Sequence, residues 1–320
     1  MKIVLSGSIA FDYLMSFPGH FSDHILPDRI ERLSLSFLVE SLVRQPGGIA
    51  ANIAYSLALL GERPMVMATV GPDFEAHREW LEARGVDTSA IRTIPDLLTA
   101  SFFVNTDRGN SQIASFFPGA MAKATELSFS ALPVRPDLAV ISPNEPQAMV
   151  AYAQECSQLG IPFLYDPSQQ IVRLEADELA AGIHLARGLF CNDYEFGLIQ
   201  KKTDLDVERI LTDTEFIVIT RGENGADLYL PRSSVHISAV EPEQIADPTG
   251  VGDAFRAGFL KGYMHGLELD LCARMGSLAA AYCLEAHGPQ GHEFSQRAFL
   301  ERYKATFPGD ELDGLLTKGQ

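Results

Sequence analysis

The stretch Asp247-Pro-Thr-Gly-Val-Gly-Asp253 has a carboxylate at each end and runs straight into AFRAGFLKGYMHG, whose apolar spacing predicts a helix. Glycines ahead of a helix let peptide N–H groups converge, and the helix adds the positive end of its dipole. The amides around Gly250, Val251 and Gly252 therefore form a candidate anion cradle. Asp253 would set a negative charge beside that anion, which makes chemical sense when a substrate hydroxyl lies between the two. Phosphoryl transfer to an alcohol asks for this pair: backbone stabilisation of the transferred group and a base within hydrogen-bond reach of the hydroxyl. An ordinary helix start also favours a carboxylate in its first turn, so the loop alone leaves both readings open.

Three other groups carry possible chemistry. In Gln45-Pro-Gly47-Gly48-Ile-Ala-Ala-Asn52 the paired glycines permit close backbone approach to a ligand, and Asn52 can bond a hydroxyl or tie loops together. Asn192 and Glu195, three apart at a helix start, can hold water-bound Mg²⁺ beside a nucleotide phosphate or form a capping box. Thr220, with Gly222 and Gly225 after it, can cover a nucleotide closely or simply turn a hairpin. Taken one at a time, each has a purely local explanation.

The elements that must position these residues are short apolar runs: KIVLSGS, PMVMATVG, DLAVISP, PFLYDP, LFCN and EFIVITRG, mostly separated by helical patterns. Continuous apolar strands alternating with helices predict an α/β fold with a mostly parallel sheet and helices on both faces. Ligands of such sheets sit beyond the carboxyl ends of the strands, which singles out Asp12, Asp166, Asn192 and Thr220. Two segments, about 12–45 and 97–119, break the pattern. Strand-like runs there, with the turn Thr106-Asp-Arg-Gly-Asn110, read as antiparallel strands forming a small sheet over the ligand edge, a lid.

With 320 residues, 46% of them hydrophobic, the chain can bury one large α/β core, read as a single domain over 1–320. Forty-two acidic against 25 basic residues give −17, which argues against nucleic acid and anionic lipid as partners. The four cysteines are scattered without a C-x-x-C pair, as in a reducing cytoplasm. The start of the chain lacks the features of a secretory signal, and no apolar run reaches the roughly 18 residues of a membrane span. A soluble cytoplasmic protein is the expectation.

Taken together and in this order, the four sites resemble the ribokinase family, the PfkB-type carbohydrate kinases, over essentially the whole chain. The resemblance rests on Gly47-Gly48 with Asn52, Asn192 with Glu195, Thr220 with Gly222 and Gly225, and Asp247 through Asp253. It implies a three-layer α/β/α ribokinase-like sandwich with a β lid, ATP as donor, and Mg²⁺. Asp253 matches the family's general base, Gly250 to Gly252 its anion hole, and Asp12 the carboxylate that grips substrate hydroxyls. Pro248 stands where the family often has threonine, removing a donor and stiffening the turn where a monovalent cation would be held near Asp247.

The acceptor is argued from the lid. Phe37, Phe102, Phe103, Phe116, Phe117 and Met121 offer more flat or soft apolar surface than a small polyol requires. A nucleoside supplies a ribose for Asp12 and a base to stack. Gln112 to Met121, and FPGHFSDHILPD near the start, are similar to the corresponding segments of prokaryotic adenosine and nucleoside kinases. Gln290 or His292, near the end, is read as touching the nucleotide; His287 and His292 lack the spacing of a zinc site. The reading is phosphorylation of a nucleoside 5′-hydroxyl, adenosine first, by a monomer or a homodimer through the lid. The alternatives are a sugar kinase for ribose or fructose, and a non-catalytic ligand sensor on the same fold. A dinucleotide-dependent oxidoreductase is disfavoured because the first strand ends in Gly-Ser-Ile-Ala-Phe-Asp, without the later glycines of G-x-G-x-x-G.

Overall fold

The computed structural model describes residues 1–25 and 34–310. The last three residues of FPGHFSDHILPD and part of the first lid segment lie outside the described residues. In chain order the strands are β1 (Ile3–Ser6), β2 (Ala10–Ser16), β3 (Ser41–Gly47), β4 (Met65–Val70), β5 (Ile91–Thr93), β6 (Ala100–Thr106), β7 (Gln112–Phe117) and β8 (Leu138–Ile141). They continue with β9 (Phe163–Tyr165), β10 (Gly188–Asn192), β11 (Phe216–Thr220), β12 (Ala226–Leu230) and β13 (Ser233–Ile237). The helices are α1 (Ile49–Leu59), α2 (Glu75–Glu82), α3 (Pro146–Leu159), α4 (Ala176–Leu185), α5 (Asp193–Thr203), α6 (Val207–Ile210), α7 (Val251–Met264), α8 (Leu269–Leu284) and α9 (Gln296–Thr306).

Nine strands form the main sheet in the order β13-β12-β11-β10-β9-β8-β1-β4-β5, parallel except for the antiparallel edge β11-β12-β13. Its strands are apolar on both faces because both faces are covered. Leu5, Val140 and Val218 turn toward α1, α7 and α8, while Val4, Ile141 and Ile219 turn toward α3, α4 and α5. This is the three-layer arrangement that the continuous apolar runs predicted.

Four strands make the second sheet, in the order β3-β2-β6-β7. The outer pairs are antiparallel as expected, but the central pair β2–β6 is parallel. The reason is topological. β2 follows β1 and β6 follows β5, so both leave the same edge of the parallel sheet in the same direction, and each return strand must lie outside. At the far tip Asp107 accepts N–H bonds from Phe21 (2.9 Å), Gly109 (2.8 Å) and Ser111 (2.9 Å), which ties the β6–β7 turn to the segment after β2.

Candidate active site

Gly250 caps the start of α7 in a left-handed conformation, φ +81°, and no side chain bonds the first-turn amides. The amides of Val251, Gly252 and Asp253 are thus donors without an intrahelical acceptor. Glycine is required at 250, since a Cβ there would lie 2.4 Å from Pro289 Cβ and the backbone would be strained. Asp247 fixes the loop from the other side. Its Oδ1 accepts from the Thr249 amide at 2.8 Å and its Oδ2 from the Gly288 amide at 3.0 Å.

Asp253 sits in the first turn of α7, one oxygen accepting from Asn52 Nδ2 at 2.8 Å. Burial pushes its carboxyl up to about 7, with the Asp166 and Asp12 charges adding to the rise and Arg256 and the Asn52 bond opposing it. A carboxyl of that pKa is poised to accept a proton near neutral pH. Asp166, fully buried after β9, pairs with Arg256 through two contacts, Oδ1 to Nη2 at 2.7 Å and Oδ2 to Nε at 2.5 Å. Burial raises Asp166 to about 6 against the pull of Arg256. Arg256 also donates to the Gly252 carbonyl at 3.0 Å, so the pair braces the anion loop from beneath. Sequence reasoning flagged Asp166 and missed Arg256; the signal was a lone charge in the apolar run AFRAGF.

Asp166, Gly252, Asp253 and Arg256 line one wall of a cleft of about 180 Å³ that also includes Ile49, Ser168, Asn192, Glu195 and Thr220. Asn192 and Glu195 do form the capping box, with Asn192 Oδ1 accepting at 2.7 Å and Glu195 Oε2 at 2.8 Å. The other Glu195 oxygen accepts from Ser168 Oγ at 2.9 Å. The cap and the cleft position therefore coexist. Thr220 lies beside Asn192 in the β10–β11 register, and Gly222 and Gly225 both take positive φ in the turn that opens the β11–β12 hairpin. Among the described residues no three His, Cys, Asp or Glu side chains gather into a metal cage. The oxygen donors of Asn192 and Glu195 suit Mg²⁺ held through its water shell, which needs few direct protein ligands.

Just before α1, Gly48 has φ +92° and lies against the Ser8 carbonyl, while Gly47 lies against the Asp12 carboxylate. Burial first, and then Asp247, raise Asp12 to about 6. The lid register puts Gln45, Asp12, Phe102 and Phe116 in one row across the four strands, hence on one face. Phe103 and Phe117 alternate to the opposite face, where Phe103 stacks on Tyr13 at 4.7 Å.

Phe37, Met121, Gln290 and His292, expected at a ligand, are placed elsewhere. Phe37 packs on Phe17 and Phe21, both at 4.9 Å, in the lid's own aromatic cluster beyond the end of β2. Met121 is buried with Ala10 and Ala100 below the lid, because the Gly119–Glu126 turn folds back under β6. Gln290 is buried and donates to Asn52 Oδ1 at 2.8 Å instead of reaching the Asn192–Thr220 side; His292 is buried on Ser56.

A family model for pfkB family carbohydrate kinases matches residues 16–294. The chain belongs to the pfkB family of carbohydrate kinases. This kinase is similar to a nucleoside kinase of Methanothermobacter thermautotrophicus, 29% identical over 89% of each chain. Its fold matches the nucleoside kinase of Burkholderia thailandensis solved with inosine, with TM-score 0.87 and 35% identity, covering 96% of this chain and 98% of that one. The same Burkholderia protein solved with ADP-inosine matches at TM-score 0.84 and 36% identity over 96% of both chains. The pfkB-family chain thus has the ribokinase-like fold and is a phosphotransferase with a hydroxyl acceptor. No described helix is long and apolar enough to cross a membrane.

Proposed function

We propose that this chain is an ATP-dependent nucleoside kinase acting on the 5′-hydroxyl of a nucleoside, adenosine first. One observation carries the chemistry: Asp253 and Gly252, in the first turn of α7 where no side chain takes the N-cap bond, line the same cleft. The nucleoside oxygen attacks the γ-phosphorus while its proton passes to Asp253. A new O–P bond forms, the bond to the β-phosphate oxygen breaks, and ADP leaves. Gly250, Val251 and Gly252 stabilise the charge on the transferred group. Asn192, Thr220, Gly222 and Gly225 bound the nucleotide side, and Glu195 with Asn192 would hold Mg²⁺ through water, where it neutralises phosphate charge.

The acceptor reading is supported by the lid row, in which Asp12 grips ribose hydroxyls next to Phe102 and Phe116, flat surfaces for a base. The names of the similar kinases point the same way. The chain is read as one catalytic unit, 1–320, working where ATP is available, in the cytoplasm. Leu42, Phe103 and Phe117 are exposed by 62%, 39% and 46% on the lid face away from Asp12, and a homodimer through the lid would cover them. Phosphoryl transfer from labelled ATP to a panel of nucleosides and sugars tests the reading. Transfer to adenosine or another purine nucleoside at least about 10²-fold more efficiently than to ribose or fructose is expected, a ratio that a stacked base supplies through its contacts. Preference for the free sugars would make the chain a sugar kinase, and no transfer with retained ligand binding would make it a sensor.

A further inference from the structure

Gly288, Pro289 and Gln290 each touch a different part of the site. The Gly288 amide holds Asp247, Pro289 packs against Gly250, and Gln290 Nε2 donates to Asn52 Oδ1 at 2.8 Å. Asn52 in turn donates from Nδ2 to Asp253 Oδ2 at 2.8 Å. Asn52 and Gln290 are both 5% exposed, so water does not compete for these bonds. An asparagine amide can sit either way round, and its two ends are opposite in polarity. A donor at Oδ1 decides which end is left for the carboxylate.

We propose that Gln290 is a positioning residue for phosphoryl transfer: by occupying Asn52 Oδ1 it fixes the Asn52 amide with its N–H toward Asp253. Deprived of that donor, the amide is free to present its oxygen to the carboxylate, and two oxygens would face each other across a hydrogen-bond distance. The ionised, proton-accepting form of Asp253 is then disfavoured, and a higher pH is needed to reach it. Gln290 is held from both ends: its Nε2 is committed to Asn52, and the half-buried His77 ring stands on its other side, close enough for its side chain to interact with Gln290. The other charged or titratable groups around Asp253 are Arg256 on α7, Asp166 after β9, Asp12 on the lid and Cys283 on α8. None of them bonds to Gln290, so its effect on Asp253 runs through Asn52.

This inference rests on Asp253 as the general base, and the experiment separates the two. Single-turnover phosphoryl transfer is followed from pH 5.5 to 9.5 with saturating ATP and nucleoside for wild type, Gln290→Met, which cannot donate, and Gln290→Glu, which is isosteric and accepts when ionised. Both variants are expected to move the acid limb of the profile upward by about one pH unit, a tenfold shift in the proton equilibrium, which costs about tenfold in rate on the acid side. By pH 9 their rates return to within about twofold of wild type, and KM for either substrate changes by less than about twofold, since uniform binding is untouched. A wild-type limb that both variants keep unchanged overturns the role of Gln290 alone. So does a loss of rate that is equal at every pH, or failure of both variants to fold, because each marks a structural residue. A wild-type profile with no acid limb, or one unaffected by Asp253→Asn, removes the general base and this inference together.

Discussion

At the floor of the cleft, Asn52, Gln290, Asp166 and Arg256 are buried and joined to Asp253 or to each other by contacts of 2.5–2.8 Å. On the lid, Phe116 is exposed by 43%, and Asp12 is the sole carboxylate in the row that faces the site. The floor is complete before any ligand arrives, whereas the lid face has apolar area in reserve. The chemistry needs a base whose pKa and aim are set in advance, and recognition needs a surface that exchanges water for substrate. Catalytic rate should therefore be lost at the floor and apparent affinity at the lid.

The sharpest way to break that division is Asp253→Asn. Turnover is expected to fall by about 10³-fold, the order of a lost general base, with little change in KM. The same change should stabilise the protein. The folded pKa of about 7 lies above the ordinary 3.8, so the ionised carboxylate weakens the fold above pH 7, and that penalty is relieved as pH falls from 7 toward 4. Thermal melts should show the variant more stable than wild type at pH 8, with the gap closing by about pH 4; a variant less stable at pH 8 would contradict the burial of the base.

Next in size is Arg256→Met, which leaves the Asp166 charge buried without its partner. A loss of about 3–5 kcal/mol in denaturant unfolding is expected, because an uncompensated buried charge costs that much. Activity falls with it, since the Gly252 carbonyl loses its brace. Double substitution with Asp166→Leu should recover stability more than activity.

The smallest effects belong to the lid and sharpen the comparison within it. Phe116→Ala should raise KM for a nucleoside by about fivefold to tenfold with kcat nearly unchanged, the size of one aromatic contact. Phe103→Ala, on the opposite face and stacked on Tyr13, should change KM by less than about twofold. Equal effects at the two positions would mean that the row through Asp12 is not what meets the acceptor.

Much of this was legible in the sequence because it depends on short-range pattern. Apolar runs two faces deep forecast the covered sheet, and Asp253 with its glycines is a local arrangement that needs no tertiary knowledge. Asn52 and Gln290 sit on opposite sides of the chain, 238 positions apart, and nothing local says that they meet. The parallel pairing of β2 with β6 was hidden for the same reason: a hairpin turn announces its own partner, but a strand that pairs with a distant one carries no such mark. Met121 and Phe37 were read as surface because an apolar side chain looks alike whether it awaits a ligand or fills a hole.

Because the lid strands are rooted at Ala10, Gly47, Ala100 and Phe117 and bound to one another at the tip through Asp107, any swing of the sheet would be that of a stiff lever. Travel then grows with height: a rotation of about 10° carries a tip some six residues up by about 3–4 Å but moves Asp12, two residues above the root, by about 1 Å, at roughly 3.3 Å per residue. The corner around Asp12 would stay in register throughout such a stroke, while a spectroscopic probe near Arg108 would see nearly all of it.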